Sequence, residues 1–217
     1  MNTRPVKVLE PPPAATESPA AEPSRNEELL ALLERDHEDG ARLLCRIFSA
    51  EVNRLVWRLL GADPDHSDVV QQVFFKVLSR WRTVREPERL GSWIQAIVVN
   101  TVFEELRRRE FRRVLQQAWQ PVRLHGDLVQ EVEVRDFLVT TMTILSKLPA
   151  KERIVFMLRY VEGKTVPEIA ELCSTSAGTV KRRLRRAGGR FDRLTERYPE
   201  LARWSKTYRG LDEGQAP

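Results

Sequence analysis

Residues 165–187 constrain the fold of this chain most, because two helix starts and a cluster of cationic side chains fall within one short motif. Thr165 and Glu168 have the spacing of a capping box, in which each side chain accepts a hydrogen bond from the other residue's backbone N–H. Pro167 is tolerated in the first turn of the helix that follows. A polar interruption then leads to Ser176, which offers a second N-cap. The pattern predicts a helix, a short turn and a second helix.

The second helix of this motif separates apolar from cationic side chains. Val180, Leu184 and Ala187 recur at helical spacing on one face. The opposite arc carries Lys181, Arg182, Arg185 and Arg186, with Ser176 and Thr179 at the helix start. A helix in the major groove needs guanidinium groups for guanine edges and point charges for phosphates. The alternative is a solvated basic face, the usual meaning of a charge run, but the capped helix before it favours a DNA-binding helix-turn-helix.

The charge of the chain is modest in total but clustered. Its 217 residues carry a net charge of +5, and the basic side chains concentrate at residues 107–113 and 181–190. Clustered cations are typical of a surface that binds a polyanion. The length allows one large domain or two small ones, and the pattern of apolar segments favours two.

Helical periodicity throughout predicts an all-α fold: two small helical domains joined by a linker, the second containing the helix-turn-helix. The predicted boundaries are a disordered proline-rich tail at 1–25, a first domain at 26–117, a linker at 118–131, a second domain at 132–193 and a C-terminal extension at 194–217. The tail has too few apolar residues to offset the entropy of ordering. The extension belongs to a last amphipathic stretch, Phe191 to Tyr208, whose apolar positions we expect to pack on the second domain.

Other chemistries find no support in the residues. His37, His66 and His125 are isolated, and Cys45 and Cys173 have no partner at ligand spacing. There is no glycine-rich phosphate loop after a strand and no G-x-S-x-G turn. We therefore predict a protein without catalytic residues, metal or cofactor, and not an enzyme.

Two further features bear on location. Both cysteines lie within apolar helical patterns, so we expect buried free thiols in a reducing compartment. No apolar run reaches membrane-spanning length, and the N-terminus is polar and proline-rich. The expectation is a cytoplasmic, nucleoid-associated protein without membrane insertion.

Three segments together resemble a known family. They are HSDVVQQVFFKV, GSWIQAIVVNTVFEELRRRE and LPAKERIVFMLRYVEGKTVPEIAELCSTSAGTVKRRLRRA. Over about residues 40–190 the chain resembles the bacterial sigma-70 family, specifically its small extracytoplasmic-function (ECF) branch. The resemblance implies an RNA polymerase sigma factor that binds core RNA polymerase and directs promoter-specific transcription initiation. The first domain then corresponds to region 2, which binds core and recognises and melts the −10 element, and the second to region 4, which recognises the −35 element.

The resemblance also implies site residues. Asp68, Gln71 and Gln72 match the surface that grips the clamp helices of the largest polymerase subunit. The loop 82–92 matches the segment that captures a flipped base of the melted non-template strand. Candidate contacts to that strand are Arg82, Arg85, Asn100, Arg107 and Arg108. In the upstream duplex, Lys181, Arg182, Arg185 and Arg186 are expected at bases and phosphates, supported by Ser176 and Thr179.

Two tryptophans flank the loop. Aromatic rings there could stack on unpaired bases. For Trp93 a core position is the favoured interpretation, whereas for Trp81 core and stacking are evenly balanced.

Three positions depart from the family pattern. Gln72 stands where an acidic residue is common, so the polymerase contact is expected to be less salt-sensitive. Ser174 stands where glycine is common at the helix-turn-helix corner, so it must adopt a left-handed conformation or reshape the turn. Arg182 stands where a small residue is common, which favours guanine in the recognised sequence.

Two other functions remain open from the sequence. A sigma-like decoy or adaptor would bind an anti-sigma protein without engaging a promoter, and a stand-alone helix-turn-helix regulator would bind duplex DNA without polymerase. An anti-sigma protein is itself a partner implied by the resemblance. Binding to core polymerase discriminates among these functions.

Overall fold

The computed structural model describes residues 21–61, 63–117, 133–198 and residue 201. Within these residues there are eight α-helices, two short 3₁₀ turns and no strand. The helices are α1 Ala21–Arg35, α2 His37–Leu60, α3 His66–Arg80, α4 Leu90–Gln117, α5 Glu133–Ser146, α6 Ala150–Tyr160, α7 Val166–Leu172 and α8 Ala177–Thr195. This confirms the predicted all-α fold. The predicted linker and residues 1–20 of the predicted tail lie outside the described residues.

Helices α1 to α4 form the first bundle around a continuous apolar core. The bend between α1 and α2 is fixed by Asp36, whose carboxylate accepts hydrogen bonds from the N–H groups of Glu38 and Asp39, both at 3.1 Å. These bonds satisfy donors that the first turn of a helix leaves unpaired. At the other end of α2, Gly61 has φ of 81°, a conformation that glycine adopts without steric cost.

Helix α1 corrects the predicted boundary of the N-terminal tail. It begins at Ala21, inside the segment predicted to be disordered. Alanine and glutamate favour helix, and Pro23 falls in the first turn, where its missing N–H costs no intrahelical bond. The prolines of the tail therefore do not prevent the helix from extending back to Ala21.

The predicted loop 82–92 is shorter and more ordered than expected. Trp81–Thr83 and Pro87–Arg89 form 3₁₀ turns, and α4 already begins at Leu90, which is fully buried. The amide of Asn26 donates a hydrogen bond to the carbonyl of Pro87 at 3.0 Å, tying the loop to α1.

The two flanking tryptophans have core positions. Trp81 is 6% exposed, so its ring is not available to stack on a base in this arrangement. Trp93 is half-buried and packs against the core, as the sequence favoured.

Helices α5 to α8 form the second bundle. Helix α6 is held between its neighbours by a buried face that includes Ile154, Val155 and Leu158. Helix α8 runs to Thr195, past the predicted domain boundary at residue 193. Phe191, predicted to begin a separate amphipathic stretch, is instead fully buried within α8, because its side chain completes the core against α6. Of the rest of that stretch, Leu201 is buried, and residues 202–217 lie outside the described residues.

No helix in the described ranges combines the length and apolar character needed to cross a lipid bilayer.

Candidate nucleic-acid and polymerase interfaces

The start of α7 has the predicted capping box. The backbone N–H of Thr165 donates to the Glu168 carboxylate at 2.7 Å, and the N–H of Glu168 donates to Thr165 Oγ1 at 3.4 Å. Hydrogen bonds from the hydroxyl and backbone of Thr165 lower the pKa of Glu168, which keeps the carboxylate charged near the positive end of the helix dipole. The sequence thus fixes the entry to the helix-turn-helix locally.

Ser174 occupies the left-handed region at the corner between α7 and α8. Its φ is 47°, and it is the one non-glycine residue with positive φ in the described part of the chain. The turn is closed by hydrogen bonds from the N–H of Ser174 to the carbonyl of Glu171 at 3.0 Å and from the N–H of Thr175 to the carbonyl of Ala170 at 2.9 Å. Of the two predicted outcomes, Ser174 therefore tolerates the left-handed conformation.

Ser176 caps the start of α8, the second helix of the helix-turn-helix. Its hydroxyl oxygen accepts a hydrogen bond from the N–H of Thr179 at 3.2 Å and donates one to Thr179 Oγ1 at 3.0 Å. Both side chains are therefore engaged with each other. Beyond this cap, Val180, Leu184 and Ala187 are buried as their spacing predicts.

The outward face of α8 carries a concentration of cations without counter-ions. The predicted duplex contacts are all exposed and, among the described residues, have no ion-pair partner: Lys181, Arg182, Arg185 and Arg186. Arg190, farther along the same helix, differs because its Nε lies 3.0 Å from a carboxylate oxygen of Glu152. The local field near the start of α8 is therefore strongly positive, which suits a polyanion.

The candidate single-strand residues occupy two places on the first bundle. Arg82 lies over the Trp81 ring at 4.7 Å from its centroid, a cation–π contact that orients the guanidinium. Arg85 is exposed on the loop, and Asn100 and Arg107 are exposed on α4. Arg108, also exposed, differs from Arg107 because it pairs with a carboxylate of its own helix.

That carboxylate belongs to a network that the sequence did not reveal. Glu105 is 2% exposed and accepts from Arg108 and from Arg109 Nε, the latter at 2.7 Å. Arg109 also donates to Asp63, with 2.8 Å between Nη2 and Oδ1, and lies 3.0 Å from Asp65. Part of the basic cluster at 107–113 is thus neutralised and joins α4 to the segment before α3.

Arg109 controls the ionisation of its two main partners. Burial by itself raises the pKa of Asp63, but the hydrogen bond and charge of Arg109 outweigh it and the pKa is lowered. The pKa of Glu105 is lowered in the same way, by Arg109 and Arg108 against burial. Both carboxylates therefore stay charged at neutral pH.

The predicted polymerase contacts share one exposed face of α3. Asp68, Gln71 and Gln72 are exposed there, while the buried face carries Val69, Val73 and Val77. Phe75 lies one turn beyond Gln71 on the exposed face and is itself 75% exposed. Phe75 is not among the residues predicted for this surface. The available signal was that two adjacent phenylalanines on an amphipathic helix cannot both face the core.

The described residues contain no cluster of thiols, imidazoles and carboxylates that could form a metal site. No group of three or more metal-ligating side chains comes together there. Cys45 and Cys173 are free and half-buried. Burial raises the pKa of Cys173 to about 11, so its thiol is protonated at neutral pH.

Comparison with known proteins identifies the family. The profile of Sigma-70 region 2 matches residues 46–112, and that of Sigma-70 region 4 matches residues 139–187. The chain is also 31% identical to the RNA polymerase sigma factor SigV of Bacillus subtilis over 136 residues, which are 62% of this chain and 78% of SigV. The chain belongs to the sigma-70 family. It is a sigma factor of the ECF type, which binds core RNA polymerase and directs promoter-specific transcription initiation.

Other similar proteins support this membership. The RNA polymerase sigma-E factor of Streptomyces coelicolor is 31% identical to this sigma factor over 135 residues, 62% of this chain and 74% of the relative. The ECF RNA polymerase sigma factor SigW of Bacillus subtilis is 20% identical over 164 residues, which are 71% of this chain and 88% of SigW. Members of this family are initiation factors and not enzymes.

Two solved structures share the fold of this sigma factor. One is the sigma factor RpoE of Bartonella quintana in complex with the anti-sigma factor NepR, with a TM-score of 0.51, 21% identity, and coverage of 71% of this chain and 96% of RpoE. The other is CnrH in complex with the cytosolic domain of CnrY. Its TM-score is 0.54 and its identity 20%, and the match covers 80% of this chain and 98% of CnrH.

Proposed function

We propose that this sigma factor divides its task between two units. Residues 26–117 bind core polymerase and the melted −10 strand, and residues 132–193 bind the −35 element as duplex. The observation that carries the proposal is the row of exposed cations on α8 that have no ion-pair partner in the part of the chain that the structure describes. A DNA-binding helix gains affinity from phosphate neutralisation, which requires such unpaired charges.

For the duplex, we assign base contacts to Arg182 and Arg186. They lie four residues apart on one face of α8, so both guanidinium groups can reach base edges in the same groove. Lys181 and Arg185 flank them and bind phosphates. Ser176 and Thr179, which hold each other at the cap, bring the helix start close to the backbone of the DNA.

For the polymerase, we assign the exposed face of α3 with Asp68, Gln71 and Gln72. This assignment is supported by the arrangement of α3, whose exposed face carries these polar side chains while the valines on its opposite face are buried. Exposed amides bind through directional hydrogen bonds, and Phe75 adds apolar area at the same face. The absence of an acidic group at Gln72 reduces the electrostatic share of this contact.

For the melted strand, we assign Arg82 and Arg85 on the loop and Asn100, Arg107 and Arg108 on α4. Phosphate neutralisation by the arginines supports strand retention, and Asn100 can donate to and accept from a base edge. Arg107 is a better candidate for a phosphate contact than Arg108, because the carboxylate of Glu105 already neutralises the charge of Arg108.

An anti-sigma protein is a further partner that we propose. The support is that the structural neighbour RpoE was solved with the anti-sigma factor NepR, and that the neighbour CnrH was likewise solved with a protein partner, the cytosolic domain of CnrY. Because its targets are core polymerase and promoter DNA, we place the action of this sigma factor in the cytoplasm at the nucleoid.

Reconstitution tests the proposal directly. Purified sigma factor is added to core polymerase, promoter fragments are selected by run-off transcription, and the selected promoter is used to compare variants. We expect Arg185→Ala to weaken duplex binding and to reduce the slope of log affinity against log salt by about 0.9, the value for one phosphate contact.

The matched control is Arg42→Ala, because Arg42 is also exposed but pairs only with Glu38 and Asp39 on its own helix. Arg42→Ala is expected to leave the slope unchanged. Specific duplex binding without any core complex would instead identify a stand-alone regulator, and binding to an anti-sigma protein without either activity would identify a decoy.

A further inference from the structure

We propose that Phe111, in the last two turns of α4, stacks on an unpaired base of the melted promoter strand. Phe111 is not among the residues that the sequence predicts for this site. Its role rests on the proposed function of the first unit, in which α4 and the loop before it bind that strand. Phe111 supplies the strand site with an aromatic contact at the end of α4 that is remote from the loop.

The ring of Phe111 is open to solvent. It is 64% exposed, and of the phenylalanines whose side chains the structure describes, only Phe75 is exposed as well. Phe103, on the same helix as Phe111, is half-buried and packs against the core. A single exposed apolar residue is common on a protein surface, so exposure by itself assigns no role. The role of this ring is indicated by its neighbours.

Phe111 lies in line with two polar side chains assigned to the melted strand. At about 100° per residue, Asn100, Arg107 and Phe111 fall within about 40° of one another around α4. All three are exposed. The rise along the helix axis from Asn100 to Phe111 is about 16 Å, close to the length of about five stacked nucleotides at about 3.4 Å each. A strand that follows this stripe therefore passes from Asn100 over Arg107 to Phe111.

Cationic side chains flank the ring on both sides. Arg107 lies one turn before Phe111 and has no ion-pair partner among the described residues. Arg112 follows Phe111 directly, and its Nη2 lies 3.2 Å from Oε1 of Glu105. Because Arg108 pairs with the same carboxylate, Arg112 is only partly neutralised. Phosphates on either side of a base stacked on the ring therefore meet guanidinium groups.

Two exposed carboxylates on this part of α4 are each engaged elsewhere. Glu104 lies 2.6 Å from the ammonium group of Lys76 on α3. Glu110 accepts a hydrogen bond from the backbone N–H of Ala150 at 2.7 Å. Their negative charges are thus offset by other groups, which lowers the repulsion that a strand would meet beside the ring.

A ring among guanidinium groups suits an unpaired strand better than a duplex. A single strand is held by cations at its phosphates and by aromatic rings against which its bases stack. In a duplex each base is already stacked between its neighbours, and unstacking it costs free energy. Since every base has a flat face, stacking on Phe111 stabilises the melted strand with little dependence on sequence.

Strand binding by the holoenzyme tests the stacking. The probe is a labelled single-stranded oligonucleotide with the −10 sequence of the selected promoter, bound to core polymerase assembled with each variant. Phe111→Leu keeps an apolar side chain but removes the flat ring, so we expect roughly five- to thirty-fold weaker binding, in the lower part of the range for stacking. Phe111→Trp keeps a flat ring and should bind at least as tightly as wild type. The ring is exposed, so neither variant should change the urea midpoint of the free chain.

Abasic nucleotides locate the base that stacks. One abasic nucleotide is placed at each position of the oligonucleotide in turn, which removes a base and keeps its phosphate. With wild type, one position near the end of the site should show the same loss of affinity as Phe111→Leu. With Phe111→Leu, that position should show almost no further loss, because the contact is already absent.

Trp57→Leu is the matched control. Trp57 is also an exposed aromatic beside arginines, but Arg54 and Arg58 are paired with Glu162, and Trp57 lies on α2 outside the stripe. Trp57→Leu should leave strand affinity unchanged.

Three results would overturn the role of Phe111. One is wild-type strand affinity in Phe111→Leu, and another is an abasic loss that is equal at all positions. The third is weaker binding of Phe111→Leu to core itself, which would assign the ring to polymerase. A holoenzyme that is weakened by Arg107→Ala but indifferent to both Phe111 variants overturns the stacking alone. A wild-type holoenzyme that does not bind the strand overturns the proposed function together with it.

Discussion

Phe191 of α8 stacks on Phe156 of α6, with ring centroids 5.0 Å apart and planes inclined by 27°. Both rings are buried, at 0% and 2% exposure. Since Phe191 lies on the same helix as the cationic face, this stack fixes the direction in which α8 leaves the bundle. The position of the cationic face therefore depends on apolar packing about one and a half to three turns away from it.

We expect Phe191→Ala to lower the free energy of unfolding by about 3–5 kcal/mol, because it removes a buried ring and leaves a cavity. Urea denaturation measures this. Phe191→Leu should cost less, since it retains most of the apolar volume. A loss below about 1 kcal/mol for the alanine variant would contradict the burial of this ring against α6, since burial and the cavity alone account for more than that.

Arg182→Ala should relax selectivity at one upstream base pair, by about 1–3 kcal/mol, because a bidentate guanidinium distinguishes guanine from other bases. Lys181→Ala should instead weaken binding nearly equally for all sequences, as expected for a phosphate contact. A binding selection on randomised duplexes measures both. An identical sequence preference in wild type and Arg182→Ala would refute the assignment of a base contact.

Phe75→Ala should weaken binding to core polymerase by at least about 1 kcal/mol, the size of a contributing aromatic at an interface. Its effect on unfolding should be small, because the side chain is 75% exposed. Tyr198→Ala, at an exposed aromatic on the other bundle, is the control for loss of surface aromatic area. Titration of labelled sigma factor with core gives the affinities, and equal affinities for Phe75→Ala and wild type would remove Phe75 from the interface.

The network of Arg109 with Asp63 and Glu105 should make stability depend on pH in the acid range. The pKa values of both carboxyls are lowered in the folded state, so their contribution is complete above the unfolded values of about 4. It is lost as pH falls below that through the folded values. Asp63→Asn should therefore be destabilising at pH 7, and its effect should shrink as the pH falls below about 4, as measured by urea midpoints. A constant difference across this range would mean that Asp63 acts through packing and not through charge.

Ser174→Gly should stabilise the second bundle by about 0.5–1 kcal/mol. The left-handed conformation costs a non-glycine residue about 1–2 kcal/mol, and the greater entropy of glycine in the unfolded chain offsets part of the gain. Ser174→Val should be destabilising, since a branched side chain fits φ of 47° poorly. Thermal unfolding measures both variants, and a lower midpoint for Ser174→Gly would indicate that the serine side chain stabilises the turn.

Local physics made much of this protein predictable. The capping box at Thr165 and Glu168, the cap at Ser176 and the buried face of α8 depend on residues three to four positions apart, and the structure confirms them. For Ser174 the sequence left two outcomes open, and the structure decides for the left-handed conformation. Family resemblance extended this to a function, because the motifs occur in order and at the family spacing.

The errors and omissions share one cause. Helical periodicity indicates which side chains lie on the apolar face of a helix, but not which other element that face packs against. It therefore could not decide that Trp81 is in the core or that Phe191 belongs to α8. Charge counting likewise treated Arg109 as part of a basic surface, whereas Asp63, distant in sequence, neutralises it.

The sequence by itself determined the helices, their caps and the cationic face of α8, since each depends on interactions within a few turns of chain. Among the described residues, tertiary structure alone decided which cations are paired with a carboxylate and which are not, as for Arg109 with Asp63 and for Arg58 with Glu162. Those outcomes depend on the distance between groups on different helices, and Coulomb energy and burial are set by that distance, which no local pattern encodes.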